Sequence, residues 1–345
     1  MTTTEAIVAS SPGPTAAGAT FYREADADPD ALAGQRVAVI GYGLLGASMA
    51  LNLRDSGVDV LVGNLDDSYR PRGLAAGFAV VGIAEAVAEA DVVYLLIADE
   101  AIPECFAQEV VPALRPGSAV CFASGYCLAY GLVSAPEGVD VLLLAPRMMG
   151  EEVHAVVADG RGFVSYVSVE RDATGTALAR LLGLALAAGS LRRGALVLSA
   201  LQEATLDLMV EQTVGPYVGI ALQLAFALGV EAGLPPEALV LELYMSGEMS
   251  QVFSSFARDG FYRSVTAHGL VAQYGGFLRS LTVDAPAMRE AFERALADIR
   301  SGGFAAKLQA EKSNGYPTLS ALDAITAGTD PMSQAEARVR VALAG

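Results

Sequence analysis

Two carboxylates, Asp207 and Glu211, stand four positions apart within the apolar stretch "EATLDLMVEQ". Four residues make about one helical turn, so both side chains would lie on the same face of a helix. Like charges at this spacing repel each other, and an unpaired carboxylate among apolar neighbours is unfavourable. The pair therefore requires either an opposite charge beside it or contact with water along a narrow acidic stripe.

A second chemical signal is the segment "GYGLLG", which follows the β-branched run "RVAVI" and precedes a helical pattern. In a G-x-G-x-x-G turn, the first glycine allows a tight turn. The second lets the backbone approach a pyrophosphate, and the third lets the helix pack closely. The helix N-terminus adds free N–H groups and a positive dipole. This pattern predicts a dinucleotide site whose pyrophosphate contacts come from Gly41, Tyr42, Gly43, Leu44, Leu45 and Gly46.

The loop "GNLDDSYRPR", 63–72, follows the second predicted strand, where a Rossmann domain binds the adenosine ribose. Asp66 and Asp67 favour NADH, because carboxylates accept hydrogen bonds from ribose hydroxyls. Basic and hydroxyl side chains in the same loop instead fit the 2′-phosphate of NADPH. The loop leaves the choice between NADH and NADPH open. The residues that we expect to face the ribose are Asn64, Ser68 and Arg70.

The elements that position these residues alternate between strand and helix in the first half of the chain. Strand signals at 36–43, 58–63, 91–99, 118–125 and 139–146 are separated by helical patterns, which predicts an α/β Rossmann-type domain with a parallel sheet. From about residue 176 the strand signals stop and long apolar helical segments follow. We therefore predict a flexible extension over 1–20, a Rossmann domain over 21–195 and a helical metal, substrate and dimerisation domain over 196–345.

Composition restricts the classes of function. The net charge of −17 disfavours a nucleic-acid partner. Cys105, Cys121 and Cys127 show no pairing pattern, and the N-terminus lacks the basic and apolar regions of a signal peptide. The longest uncharged run, 212–230, contains two glutamines and a proline and predicts a buried helix rather than a membrane span. We expect a cytoplasmic protein that binds neither nucleic acid nor a membrane.

The chain also resembles a known family. "RVAVIGYGLLGASMALNLRDSGVDVLVG", "ADVVYLLIADE", "LRPGSAVCFASGY", "QEATLDLMVEQTV" and "IRSGGFAAKLQAEKSNGYPTLSAL" are similar, in this order, to segments of ketol-acid reductoisomerases of the shorter class. The resemblance covers roughly residues 20–330. It implies a knotted helical C-terminal domain like that of 6-phosphogluconate dehydrogenase, and a homodimer. The implied reaction is a magnesium-assisted alkyl migration in a 2-hydroxy-2-methyl-3-oxo acid, followed by hydride transfer from NADPH or NADH.

Residue roles follow from this resemblance. Asp207 and Glu211 match the family's magnesium pair, with Glu242 on a later helix as a third ligand, and Glu203 and Gln212 also fit the pattern. Oxygen ligands suit this hard cation, which would cancel the repulsion between the two carboxylates. Asp99 and Gly125 are expected beside the nicotinamide. The candidate catalytic residues, which would act on a small carboxylic-acid substrate, are Ser124, Arg147, Asp207 and Glu211.

The chain departs from the family pattern at several positions of this site. Ser124 stands where the family has histidine, and a hydroxyl titrates too high to exchange a proton near neutral pH. Arg147 replaces lysine in "APRMMG" and keeps its charge permanently. Ser246 stands where the family has the second carboxylate of the later pair, and Glu248 is two residues out of register, about 200° around a helix. Ala98 and Gly269 replace a proline and a serine.

These departures predict that the cofactor half is kept and that alkyl migration is impaired. The leading hypothesis is an NAD(P)H-dependent oxidoreductase that reduces a 2-oxo acid or a related unsaturated substrate. One alternative is an authentic ketol-acid reductoisomerase acting on 2-acetolactate. Another is a non-catalytic protein that binds the cofactor or stabilises a partner enzyme.

Overall fold

The computed structural model describes residues 18–326 and 328–344. They form two compact units, a sheet region that ends at Asp207 and a helical region that starts at Leu208. The flexible extension predicted over 1–20 lies mostly outside the described residues. Residues 18–20 have no regular structure and lead directly into the first strand.

The sheet region is built on one nine-stranded sheet. Its strands are β1 Phe21–Tyr22, β2 Arg36–Ile40, β3 Asp59–Gly63, β4 Val80–Val81, β5 Val92–Leu95, β6 Ala119–Phe122, β7 Asp140–Pro146, β8 Ser165–Arg171 and β9 Ala195–Val197. Their spatial order is β1-β9-β8-β7-β6-β5-β2-β3-β4. The six strands from β4 to β7 are parallel, in the order typical of a Rossmann domain.

Helices connect these strands and cover the sheet. They are α1 Leu44–Asp55, α2 Arg70–Ala75, α3 Ile83–Glu89, α4 Ile102–Cys105, α5 Tyr126–Ala129, α6 Glu152–Ala158 and α7 Ala177–Ala188. Strands β2, β5 and β6 are buried along their length, apart from the first residue of β2. Burial on both faces explains why these strands are continuous apolar runs rather than alternating patterns.

The far edge of the sheet differs from the prediction. Strand β8 runs antiparallel to β7, β9 pairs parallel with β8, and β1 pairs antiparallel with β9. The expectation that strands stop before residue 176 is therefore wrong, because β9 follows α7. The alternation in "SYVSVER" was a usable strand signal, but pairing between β1 and β9 joins segments far apart in sequence.

Helices alone form the regular structure of the described helical region. The long helix α8 Ala200–Glu231 runs into it, followed by α9 Pro236–Val240, α10 Glu248–Asp259, α11 Phe261–Val265, α12 Leu270–Ser280, α13 Ala285–Arg300, α14 Gly303–Ser313, α15 Pro317–Thr326 and α16 Pro331–Leu343. A π-helical turn, Leu241–Met245, continues α9. A small core joins Phe226, Val240, Ala335 and Val339.

The prediction that the run 212–230 is buried is wrong for this chain. It lies within α8, where Val214, Ile220 and Leu228 have 49%, 56% and 62% of their surfaces exposed. By length and composition, α8 is the one helix in the described part of the chain that is able to cross a membrane. A single helix of this kind is weak evidence for a span, because helices covered by protein meet the same criterion.

Candidate functional site

The glycine turn at the end of β2 is shaped for a pyrophosphate. Gly41 has a φ of +94°, and its N–H donates to the carbonyl oxygen of Gly63. A side chain at Gly46 would overlap the carbonyl oxygen of Gly41, so only glycine allows this approach. Gly43 caps the N-terminus of α1, and a Cβ there would meet no protein atom within 4 Å. This open backbone, next to free helix N–H groups, fits the pyrophosphate of a dinucleotide.

The turn lies where ligands bind in such sheets. Strand β2 pairs with β3 on one side and β5 on the other, so the chain direction across the sheet reverses there. Ligands of open parallel sheets bind outside the carboxyl ends of the strands at this position. Leu44, on the first turn of α1, has 54% of its surface exposed, and Leu45 is partly buried.

Asn64 joins the glycine turn to the ribose loop. Its buried side-chain oxygen accepts the N–H of Tyr42 at 2.8 Å, and its amide nitrogen donates to Asp67 at 2.9 Å. Asp67 also accepts the Tyr69 N–H, and this hydrogen bond is the largest cause of its lowered pKa. Asn64 and Asp67 therefore hold the loop in shape, while Ser68 is exposed.

Arg70 points into the protein rather than away from the loop. Its guanidinium donates to the carbonyl oxygens of Val80 at 2.9 Å, Asn64 at 3.3 Å and Val81 at 3.4 Å. Arg72 stacks over the ring of Tyr69 at 5.5 Å. We expected the Arg70 side chain to face the ribose. Its guanidinium is instead hydrogen-bonded to the backbone of β4.

Arg147 follows β7 and reaches the first turns of α8. One nitrogen of its guanidinium lies 3.2 Å from Glu203, and another contacts Asp207. The guanidinium carbon also lies 5.2 Å from the ring centroid of Tyr166, and the backbone N–H of Arg147 donates to the carbonyl oxygen of Val164. Of the acidic pair Asp207 and Glu211, Asp207 therefore has its opposite charge from Arg147 of the same chain.

Glu203 is the buried member of this cluster, with 1% of its side chain exposed. It accepts the Gly125 N–H at 2.7 Å, and a Cβ on Gly125 would overlap the carbonyl oxygen of Ala200. Burial, which disfavours the charged carboxylate, raises the pKa of Glu203 to about 7 despite the Gly125 N–H and Arg147. The sequence assigned Glu203 no catalytic role, although it precedes Asp207 by the same four residues that separate Asp207 from Glu211.

The other candidates of the sheet region lie around α5. The Ser124 hydroxyl accepts the Tyr126 N–H at 3.2 Å. The main-chain oxygen of Asp99 accepts the thiol of Cys127 at 3.4 Å. Tyr126 has a buried hydroxyl for which no hydrogen-bond partner is found among the described residues, and burial raises its pKa to about 12. These contacts place the segments of Asp99 and Ser124 beside α5.

The predicted metal ligands are not gathered into a cluster. Within residues 18–326 and 328–344, no three His, Cys, Asp or Glu side chains come together as a metal site. Glu211 and Glu242 are exposed, and Glu242 lies on the π-helical turn. Glu242 and Glu248 do not share one continuous helix, because Gly247 between them adopts a left-handed φ of +84°. The angle of about 200° between positions 246 and 248, which assumed such a helix, therefore does not apply. As arranged, with Asp207 bound to Arg147, the donor set does not fit a magnesium ion. The ligand assignment of Asp207, Glu211 and Glu242 remains a prediction.

The parallel sheet, the glycine turn and the separate helical region define a dinucleotide-binding oxidoreductase architecture. Residues 31–194 match the model of the acetohydroxy acid isomeroreductase NADPH-binding domain, and residues 201–344 match that of the ketol-acid reductoisomerase C-terminal domain. The chain therefore belongs to the ketol-acid reductoisomerase family and is an NAD(P)H-dependent oxidoreductase.

Individual relatives agree with this assignment over most of their length. The chain is 36% identical over 296 residues to a putative ketol-acid reductoisomerase of Saccharolobus solfataricus, covering 85% of this chain and 89% of that protein. It is 35% identical over 305 residues to a ketol-acid reductoisomerase (NADP(+)) of Pyrobaculum arsenaticum, covering 87% and 92%. The solved structure of an NADH-preferring ketol-acid reductoisomerase from an uncultured archaeon is 28% identical, with a TM-score of 0.88 over 93% of this chain and 98% of that one.

Proposed function

We propose that the chain is a ketol-acid reductoisomerase that rearranges and reduces a 2-hydroxy-2-methyl-3-oxo acid such as 2-acetolactate. The observation that carries this proposal is the collinear match of both regions to proteins of that name. The glycine turn supports the hydride-transfer half of the reaction, because it can hold the pyrophosphate that anchors a nicotinamide cofactor.

A second candidate function is reduction without alkyl migration. Two observations favour it: Arg147 already neutralises Asp207, and Ser124 cannot exchange a proton near neutral pH as histidine does. Reduction makes fewer demands on this part of the site than migration, because it needs chiefly a bound cofactor and an oriented carbonyl.

A paired rate assay separates the two candidates. One arm contains 2-acetolactate, and the other contains 3-hydroxy-3-methyl-2-oxobutyrate, the product of migration, each with magnesium and with either NADH or NADPH. Turnover in both arms supports the reductoisomerase, whereas turnover in the second arm alone supports the reductase. If neither substrate reacts while the cofactor binds, both candidates are wrong.

We further propose that NADH is the preferred cofactor. Asp66 is an exposed carboxylate next to Asp67, and both would repel a 2′-phosphate. Arg70, which could offset that repulsion, is bound to three carbonyl oxygens. The NADH preference stated for the archaeal structure agrees with this proposal, whereas the Pyrobaculum relative is named for NADP(+).

The ratio of kcat/KM for NADH over NADPH tests the cofactor proposal. We expect a ratio of about ten or more, and a lower ratio in Asp66→Asn because one repulsive charge is removed. Glu85→Gln removes an equal charge from α3 and should leave the ratio unchanged. A wild-type ratio below one contradicts the proposal.

The assembly that we propose is a cytoplasmic homodimer in which a second copy covers the exposed apolar helices. Leu270, Val271 and Tyr274 on α12 have 82%, 90% and 71% of their surfaces exposed. Contiguous apolar surface of this kind is typical of an interaction site. The helices α11 and α12 also border an apolar cleft of about 820 Å³.

A further inference from the structure

The guanidinium of Arg147 lies where it contacts two carboxylates from consecutive turns of α8. One nitrogen is 3.2 Å from Glu203 Oε1, and a second contacts Asp207 Oδ1. The planar fork of arginine suits such a double contact, because its N–H groups diverge in fixed directions and its charge is permanent.

Several contacts fix the positions of the three side chains. The backbone N–H of Arg147 donates to Val164, which fixes the main chain at this position, and the guanidinium stacks on Tyr166. Glu203 is nearly fully buried and receives the Gly125 N–H on its other oxygen. A carboxyl group in this position needs a partner, and removing Arg147 would leave it with one fewer.

A divalent ion does not fit this arrangement. Mg²⁺ requires several oxygen ligands in near-octahedral geometry, whereas one oxygen of Asp207 is in contact with Arg147. The fixed positive charge would also repel a dication brought to the same carboxylate. Among the described residues, no group of three His, Cys, Asp or Glu offers an alternative site.

We propose that Arg147 is the resident cation of the Glu203–Asp207 pair, so that a divalent metal at Asp207 must either displace its guanidinium or share the carboxylate with that positive charge. The chain consequently binds Mg²⁺ and Mn²⁺ weakly. Weak metal binding would limit the magnesium-assisted step of the proposed reaction, but it is measured on the free protein, whether or not any substrate turns over.

Direct Mn²⁺ binding, followed by the electron paramagnetic resonance signal of the free ion, tests the proposal on the full chain. We expect Arg147→Gln to bind Mn²⁺ at least about tenfold more tightly than the wild type, because Asp207 is released. Arg161→Gln is the matched control, since it removes the same charge from an exposed pair with Asp159. It should bind like the wild type. Equal or weaker binding by Arg147→Gln, or an equal gain in Arg161→Gln, overturns the proposal.

A second measurement uses the unaltered protein, in case Arg147→Gln fails to fold. The guanidinium N–H signals of Arg147, assigned by NMR, are followed while Mg²⁺ is added. Signals that stay protected at millimolar Mg²⁺ support the resident-cation role. Loss of the signals at micromolar Mg²⁺ shows that the metal readily replaces the guanidinium and overturns it.

Discussion

Apolar side chains meet different surroundings in the two regions of this molecule. In the sheet region, the central strands and α7 bury their apolar side chains in one large cluster. In the helical region, the core formed by Phe226, Val240, Ala335 and Val339 is small. Large apolar side chains on α8, α10, α11 and α12 are instead exposed. The sheet region therefore buries most of its apolar side chains within itself, whereas the helical region leaves a large apolar surface exposed, which is the surface that the proposed dimer would cover.

The largest expected effect comes from a glycine of the sheet region. Gly46→Ala should destabilise the protein by about 3 kcal/mol or more, because its methyl group would overlap the carbonyl oxygen of Gly41. Urea unfolding measures this loss.

Gly43→Ala is the control for that change. Its methyl group meets no protein atom, so the cost in stability should stay within about 1 kcal/mol. Cofactor affinity, followed by NADH fluorescence, should nevertheless fall, because the methyl group occupies the open side of the turn. Normal stability of the Gly46→Ala variant would show that the sheet region tolerates local expansion, which its packing argues against.

A pH dependence of stability should also arise within the sheet region. The pKa of Glu203 is about 7 in the folded chain, above its ordinary value of 4.5, so the folded state holds an extra proton between these values. Stability should be greatest below pH 4.5 as far as this group is concerned, and should fall by up to about 3 kcal/mol as pH rises to 7.

Glu203→Gln should remove this part of the pH dependence, since an amide does not titrate. Unfolding free energies of both proteins at several pH values between 5 and 8 measure the difference. Parallel profiles for the two proteins would show that Glu203 keeps an ordinary pKa and that Arg147 outweighs its burial.

The exposed face of the helical region predicts a change of assembly. Val271→Glu places a charge on the apolar surface of α12 and should weaken the proposed dimer by about 2 kcal/mol, or roughly 30-fold in dissociation constant. Light scattering after size-exclusion chromatography reports the mass. Leu65→Glu, an exposed site in the sheet region, should leave it unchanged. A monomeric wild type would contradict the dimer and leave the apolar face unexplained.

The smallest effect concerns the thiols, all of which lie in the sheet region. Burial raises the pKa of Cys105 to about 11 and of Cys127 to about 12, and it raises that of Cys121 further. Because thiolates are the reactive form, iodoacetamide at pH 8 should modify the folded chain slowly. Val271→Glu should not accelerate this reaction if the sheet region is stable by itself. Rapid modification in that variant would show that the two regions unfold together.

Features of the sheet region that depend on local sequence were predictable, whereas features that depend on contacts between distant segments were not. The parallel strands and the Gly41–Gly46 turn depend on local patterns and close packing, and the structure confirms them. The exposure of α8 was not predictable, because an apolar run in the sequence does not reveal whether other segments of the same chain pack against it. The contacts of Arg147 with Glu203 and Asp207 span 56 and 60 residues and depend on how β7 and α8 meet. The spacing of the carboxylates within α8 therefore could not predict that Arg147 would lie beside them.

The bridge made by Asn64 has a consequence for redesign of the cofactor preference. One amide side chain holds both Tyr42 in the glycine turn and Asp67 in the ribose loop. Replacing Asp67 to admit a phosphate would remove one of the hydrogen bonds that orient the Asn64 amide, and the contact of this amide with the turn that binds the pyrophosphate would weaken with it. Substitutions at the two loops should therefore be non-additive, so a library that varies them one at a time would miss the best combinations.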